Sequence, residues 1–104
     1  MVRSVLFLRA AQGRAAEVEE YYAEQRILAR ARAFPGCREA VLLRAPAGSS
    51  ATHLVTADWD GPEDYQRWVH DPWRVAVSRR LADLLDTPPG ELVVGGVFEF
   101  VPEW

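Results

Sequence analysis

The chain has 104 residues, 12 basic and 15 acidic, with a formal net charge of −3 at neutral pH. That length holds one domain, residues 1–104, around a single core. The mild negative charge without a basic run argues against a nucleic-acid surface. No apolar run approaches the roughly 18 residues of a membrane span, and Met1-Val2-Arg3 leads into strand-like residues without the features of a secretory leader. A cytoplasmic location is therefore expected.

Every basic residue is Arg, which together with many Ala, Gly and Pro reads as a GC-rich codon signature rather than as anion recognition. Cys37 is the only cysteine, so an internal disulfide is excluded. At the start of a strand it is expected to serve as a small hydrophobe. His53 and His70 lie far from other soft ligands, and no metal site is expected.

Val2 to Arg9 is apolar on both faces and predicts a buried strand. Gln12-Gly13 turns the chain into one long helix from about Ala15 to Ala33, striped by Val18, Tyr21, Tyr22, Ile27 and Leu28. Its Glu residues precede its Arg residues, which complements the helix dipole and marks a solvated face. Phe34-Pro35-Gly36 ends it. Cys37 to Arg44 and Thr52 to Trp59 read as a strand pair joined by the Pro-Gly-Ser loop at 45–50. Pro62 opens a second helix. Asp71, before Pro72, caps a third that runs to about Leu85 with Trp73, Val77, Leu81 and Leu84 inward. Thr87-Pro88-Pro89-Gly90 ends that helix, and Leu92 to Val101 forms the last strand. Gly95-Gly96 within it predicts a bulge or a close backbone approach.

The order β-α-β-β-α-α-β is an α+β, ferredoxin-like arrangement with an antiparallel four-stranded sheet. Helices cover one face of such a sheet, yet Val5 and Phe7 oppose Leu6 and Leu8, and Phe98 and Phe100 oppose Val97 and Val101. A monomer would leave an apolar face wet, so a homodimer with facing sheets is expected.

Alternation puts His53, Val55, Ala57 and Trp59 on one face of their strand. Tyr65 and Trp68, three apart, share a helix face. These residues, with Tyr22 from the first helix, either line a small-molecule cavity or fill the core. His53 is the candidate to exchange a proton near neutrality. His70-Asp71 at a helix break points apart, and Asp58 and Asp60 read as turn chemistry rather than a carboxylate pair.

The stretch from Thr52 to Arg80, with a strand ending in Trp59, an Asp-Gly-Pro turn and a helix opening Glu63-Asp64-Tyr65, resembles the antibiotic-biosynthesis monooxygenase (ABM) domains. These are small dimeric α+β barrels. The resemblance implies a cofactor-independent enzyme oxidising an aromatic polyketide-type phenol or hydroquinone with dioxygen, the substrate itself supplying the electrons. It implies Trp59 and Tyr65 as pocket-lining residues and a helix Arg at Ser78 or Arg79. Arg79 or Arg80 would hold a phenolate and Tyr65 would donate to a carbonyl. Where those enzymes carry an Asn four residues before the Trp, this chain has Val55. A haem-degrading branch maps onto Leu6, Trp68 and Ser78, of which only the Trp matches. A cyclase or isomerase on the same barrel, or a non-catalytic ligand-binding barrel, are the alternatives.

Overall fold

The computed structural model describes residues 1–86 and 95–103. Eight elements follow in chain order: β1 (Val2–Leu8), α1 (Ala15–Glu24), α2 (Ile27–Ala33), β2 (Cys37–Arg44), β3 (His53–Trp59), α3 (Pro62–Val69), α4 (Pro72–Ala82) and β4 (Gly95–Glu99). The four strands form one antiparallel sheet in the order β2-β3-β1-β4, which is the ferredoxin-like arrangement expected.

One expectation fails. The long helix over 15–33 is two helices, because Arg26 adopts a left-handed backbone (φ 53°, ψ 41°) and the chain restarts at Ile27. The reason lies in the stripe. Val18 and Tyr22 are buried, and an unbroken helix would next turn Gln25 and Arg26 toward the core. The break advances the phase by one residue, so Ile27 and Ala31 are buried instead. A non-Gly residue there costs roughly 1–2 kcal/mol.

α4 also ends earlier than expected, at Ala82. The chain beyond it folds back on the end of β1. Ala11 N–H donates to Leu84 O and Asp86 N–H to Arg9 O, both at 2.8 Å, and Ala10 bridges Leu85. The expected turn at 87–90 and the start of the last strand at Leu92 lie outside the described residues. The close approach expected at Gly95-Gly96 falls on Gly95, where a Cβ atom would lie 2.0 Å from Val5 O. Only glycine permits β4 to pair with β1 there.

The helices pack on one face of the sheet, and the apolar interior divides into two groups. Leu8, Val18, Tyr22, Ile27, Val77 and Leu81 form one. Val2, Ala31, Ala40, Ala57, Trp59 and Trp68 form the other. The opposite face is bare, with Phe7, Leu43 and Phe98 about half exposed. There Arg3 pairs with Asp58 at 2.7 Å and lies 5.0 Å from the Phe100 ring centroid. Asp60 pairs with Arg38. The two aspartates flanking Trp59 thus form separate cross-strand ion pairs and no carboxylate dyad.

Candidate functional site

Between the two apolar groups lies a cavity of about 390 Å³, within the size range of small-molecule sites. The hollow follows from side-chain size. Ser4, Ala40 and Ala57 sit on the covered face of three neighbouring strands and are buried. They occupy too little volume to reach the helices above them.

Trp59 closes one end. It is 0 % exposed, and its Nε1–H donates to Ser4 Oγ at 3.0 Å, while the Ser4 hydroxyl donates to Ala57 O at 3.4 Å. The indole is thereby locked, and its N–H is already used within the fold. The α3 start is fixed by Pro62 and by the Asp64 carboxylate, which accepts from Gly61 N–H at 3.0 Å. This aims Tyr65 and Trp68 inward. Ring centroids lie 5.7 Å apart for Trp59 and Tyr65, 6.5 Å for Trp59 and Trp68, and 6.2 Å for Trp68 and Trp73. Phe34 meets Trp68 edge-on at 5.2 Å. The result is a continuous aromatic wall.

Asp71 caps α4 as expected, accepting from Trp73 N–H at 3.1 Å and Arg74 N–H at 3.2 Å. That fixes the rotation of the helix. Arg74, Val77, Ser78 and Leu81 stand on the cavity side. Arg74 makes no ion pair among the described residues. Burial pushes the Tyr22 phenol up to about 12 and raises that of Tyr65, while the Arg74 charge pulls both down. One guanidinium therefore stands within electrostatic reach of two neutral phenols.

Of the residues singled out in the sequence, Tyr22, Val55, Ala57, Trp59, Tyr65 and Trp68 all line the cavity. Leu6 and Ser78 line it too. Arg79, expected at this wall, is exposed and outside the lining, as is Arg80. His53 also stays outside. It is 1 % exposed, with Nε2 at 2.8 Å from Glu19 Oε2 and Nδ1 at 2.9 Å from Thr52 Oγ1. That ties β3 to α1 and leaves the ring remote from a guest in the cavity. Cys37 is half-buried, and burial raises its thiol, which disfavours the thiolate.

Arg74 is the functional candidate that the sequence reading passed over. The signal was present: positions 74, 77, 78 and 81 form one helical stripe, and Val77 and Leu81 were already assigned inward. At the position where the haem-degrading branch implies an axial His, this chain carries Ser78, which lines the cavity.

Comparison with known proteins agrees with this architecture. A candidate antibiotic biosynthesis monooxygenase from Deinococcus radiodurans superposes with a TM-score of 0.78 at 18% identity, covering 100% of this chain and 96% of that one. A second, from Nitrosomonas europaea, gives 0.77 at 11% identity over 98% and 100% of the two chains. A dimeric protein of unknown function and ferredoxin-like fold from Bacteroides fragilis gives 0.74 at 16% identity over 95% of each. Among curated protein sequences none matches the chain. The sequence pattern described as antibiotic biosynthesis monooxygenase matches residues 1–79. On that match the chain belongs to the ABM family.

Proposed function

We propose that the chain is a homodimeric, cofactor-independent monooxygenase that oxidises an electron-rich aromatic phenol or hydroquinone of polyketide type with dioxygen. The observation that carries this reading is the guanidinium of Arg74 within electrostatic reach of two neutral phenols, in a cavity whose described lining is otherwise apolar apart from Ser4 and Ser78. Such a site suits a flat aromatic guest with one acidic hydroxyl. Arg74 favours the phenolate over the phenol, and Tyr65 or Tyr22 donates a hydrogen bond to a carbonyl or second oxygen. The locked indole of Trp59 shapes the end of the cavity rather than reacting.

In this mechanism the bound phenol loses its proton to solvent. The phenolate gives one electron to dioxygen, and the resulting superoxide adds to the ring radical. The peroxide anion so formed takes a proton back from solvent, and the hydroperoxide then loses water to leave a quinone. One phenol and one dioxygen give one quinone and one water, and one hydroquinone and one dioxygen give one hydroxyquinone and one water, with all electrons drawn from the substrate. Exclusion of water by the aromatic wall strengthens the Arg74–phenolate interaction. With Val55 where an Asn stands in related oxygenases, Arg74 carries the charge stabilisation alone.

The bare apolar sheet face supports the homodimer. Each large side chain left half wet there forfeits roughly 1 kcal/mol of burial. The cyclase alternative is less well supported, because among the described residues no carboxylate or imidazole lines the cavity to act as base.

Oxygen uptake with a panel of anthrones and naphthohydroquinones tests the proposal. Consumption of one dioxygen per quinone formed, with one of its oxygen atoms in the product and no hydrogen peroxide released, reduced about 100-fold in kcat/KM by Arg74→Gln, is the expected result. Ring closure without oxygen indicates the cyclase, and saturable binding without turnover indicates a ligand-binding barrel.

A further inference from the structure

The cavity has two unlike halves, and the fold sets their order. α4 begins at the aromatic group, where the Trp73 ring lies 6.2 Å from that of Trp68. Beyond its end the chain folds onto the close of β1, with Ala11 N–H donating to Leu84 O at 2.8 Å. β1 runs the same way, since Val2 pairs with Trp59 and Leu8 with His53. The lining therefore passes from Trp59, Tyr65 and Trp68 at one end to Leu8, Leu81 and Leu85 at the other. Ser4, Leu6 and Leu8 stand in one row of its floor, roughly 13 Å long. Arg74 and Leu81 mark about 10 Å of its roof.

Polar groups keep to the aromatic half and the middle. Arg74 opens the α4 stripe, Ser78 stands one turn further on, and Tyr65 comes from α3. The Tyr22 phenol lies within reach of the Arg74 charge. The end beyond Ser78 is lined by Leu8, Ile27, Leu81, Ala82 and Leu85, and no polar side chain of the described lining stands among them. A ring oxygen placed there would give up its bonds to water and gain none in return. A saturated carbon chain loses nothing there and takes apolar surface out of water. A ring system bearing oxygens all round therefore suits the first half and not the second.

We infer that the guest carries an alkyl chain of several carbons on the side of its ring away from the acidic hydroxyl, and that Leu8, Leu81, Ala82 and Leu85 hold this chain. The phenolic head rests on the oxygenase reading, whereas the tail rests on the lining alone. The substrate class becomes an alkylated phenol or hydroquinone. Its ring lies beside Trp59 with the hydroxyl at Arg74, and its chain lies along the end of β1.

The test is anaerobic calorimetric titration of the full chain with 2-naphthol and its 6-methyl, 6-propyl and 6-pentyl homologues, which carry hydroxyl and chain at opposite ends of the ring. The expected result is an affinity that rises roughly two- to fourfold with each added carbon. Ala82→Phe fills the aliphatic end from an exposed position, and Leu85→Trp fills it from a half-buried one. Both abolish the rise and leave 2-naphthol itself binding as it does to the parent, so the loss reports the slot and not the fold. Arg74→Gln weakens every homologue alike and keeps the rise. A flat series overturns the inference. So does a rise that survives both bulky variants, which assigns the chain to the bare sheet face. A rise without oxygen uptake from any hydroquinone supports the tail slot and removes the oxygenase reading, and a flat series with oxygen uptake does the reverse.

Discussion

The two faces of the sheet invert the usual distribution of side-chain size. On the face roofed by helices, the central positions are Ser4, Ala40 and Ala57, all buried and all small. On the bare face, Phe7, Leu43 and Phe98 stand about half exposed. A sheet built only for a stable monomer would carry its bulk under the helices. Here the centre of the covered face is thinned to leave a hollow, while large apolar side chains stand on the bare face. On the proposed reading the difference separates two jobs: one face would contain a guest, the other would hold copies together.

Substitutions that attack one face and spare the other sharpen this contrast. The largest effect is expected from a Phe7→Glu, Leu43→Glu pair. Both residues flank Leu54 in one cross-strand row of the bare face, so the added carboxylates oppose their own copies in a partner. Light scattering should show a monomer at concentrations where the parent chain is a dimer, a loss of roughly 1,000-fold or more in association. A dimer that persists removes the bare face as the interface.

Ala57→Leu acts on the other side. It fills the hollow beside Trp59, and ligand binding should fall by about 100-fold while the melting temperature holds or rises. A matching loss of stability would mean that position 57 is tight core rather than cavity wall. Tyr65→Phe removes one donor and little volume, so turnover should fall roughly tenfold with the dimer intact. No change would assign the donor role to Tyr22.

The smallest effect concerns Glu19, on neither face. Its carboxyl is held down to about 2, first by the hydrogen bond from Arg44 and then by that from His53. The folded value lies below the ordinary 4.5, so its stabilisation is complete above about pH 4.5 and is lost as pH falls toward 2. Glu19→Gln should therefore lower the melting temperature above about pH 4.5 and converge with the parent as pH falls toward 2, which flattens the acid side of the profile. A variant profile parallel to the parent would show that the contact contributes nothing.

Element order, sheet topology and most of the cavity wall were legible in the sequence because they rest on local signals. Pro62, Pro72 and Gly36 punctuate the chain, and period-two alternation put Val55, Ala57 and Trp59 on one face. The break at Arg26 was missed because apolar residues on either side of it looked like one stripe; only the polar pair at 25–26, falling where the stripe called for bulk, betrayed the slip. His53 shares its strand face with the cavity residues, but alternation fixes the side of the sheet and not the distance along the strand. Its separation from the cavity depended on Glu19, 34 residues away. Arg79 was favoured over Arg74 by counting along a resemblance across a helix break, where one residue of slip rotates a side chain by about 100°.

The tryptophan array of Trp59 and Trp68 at the cavity and Trp73 packed against Trp68 has a practical corollary. Trp59, Trp68 and Trp73 stand with neighbouring ring centroids 6.5 and 6.2 Å apart, close enough for excitation to hop among them. A quinone lodged beside any one indole would darken all three. The protein thus carries its own optical reporter, and unlabelled compounds can be screened for occupancy by the dimming of its native ultraviolet emission.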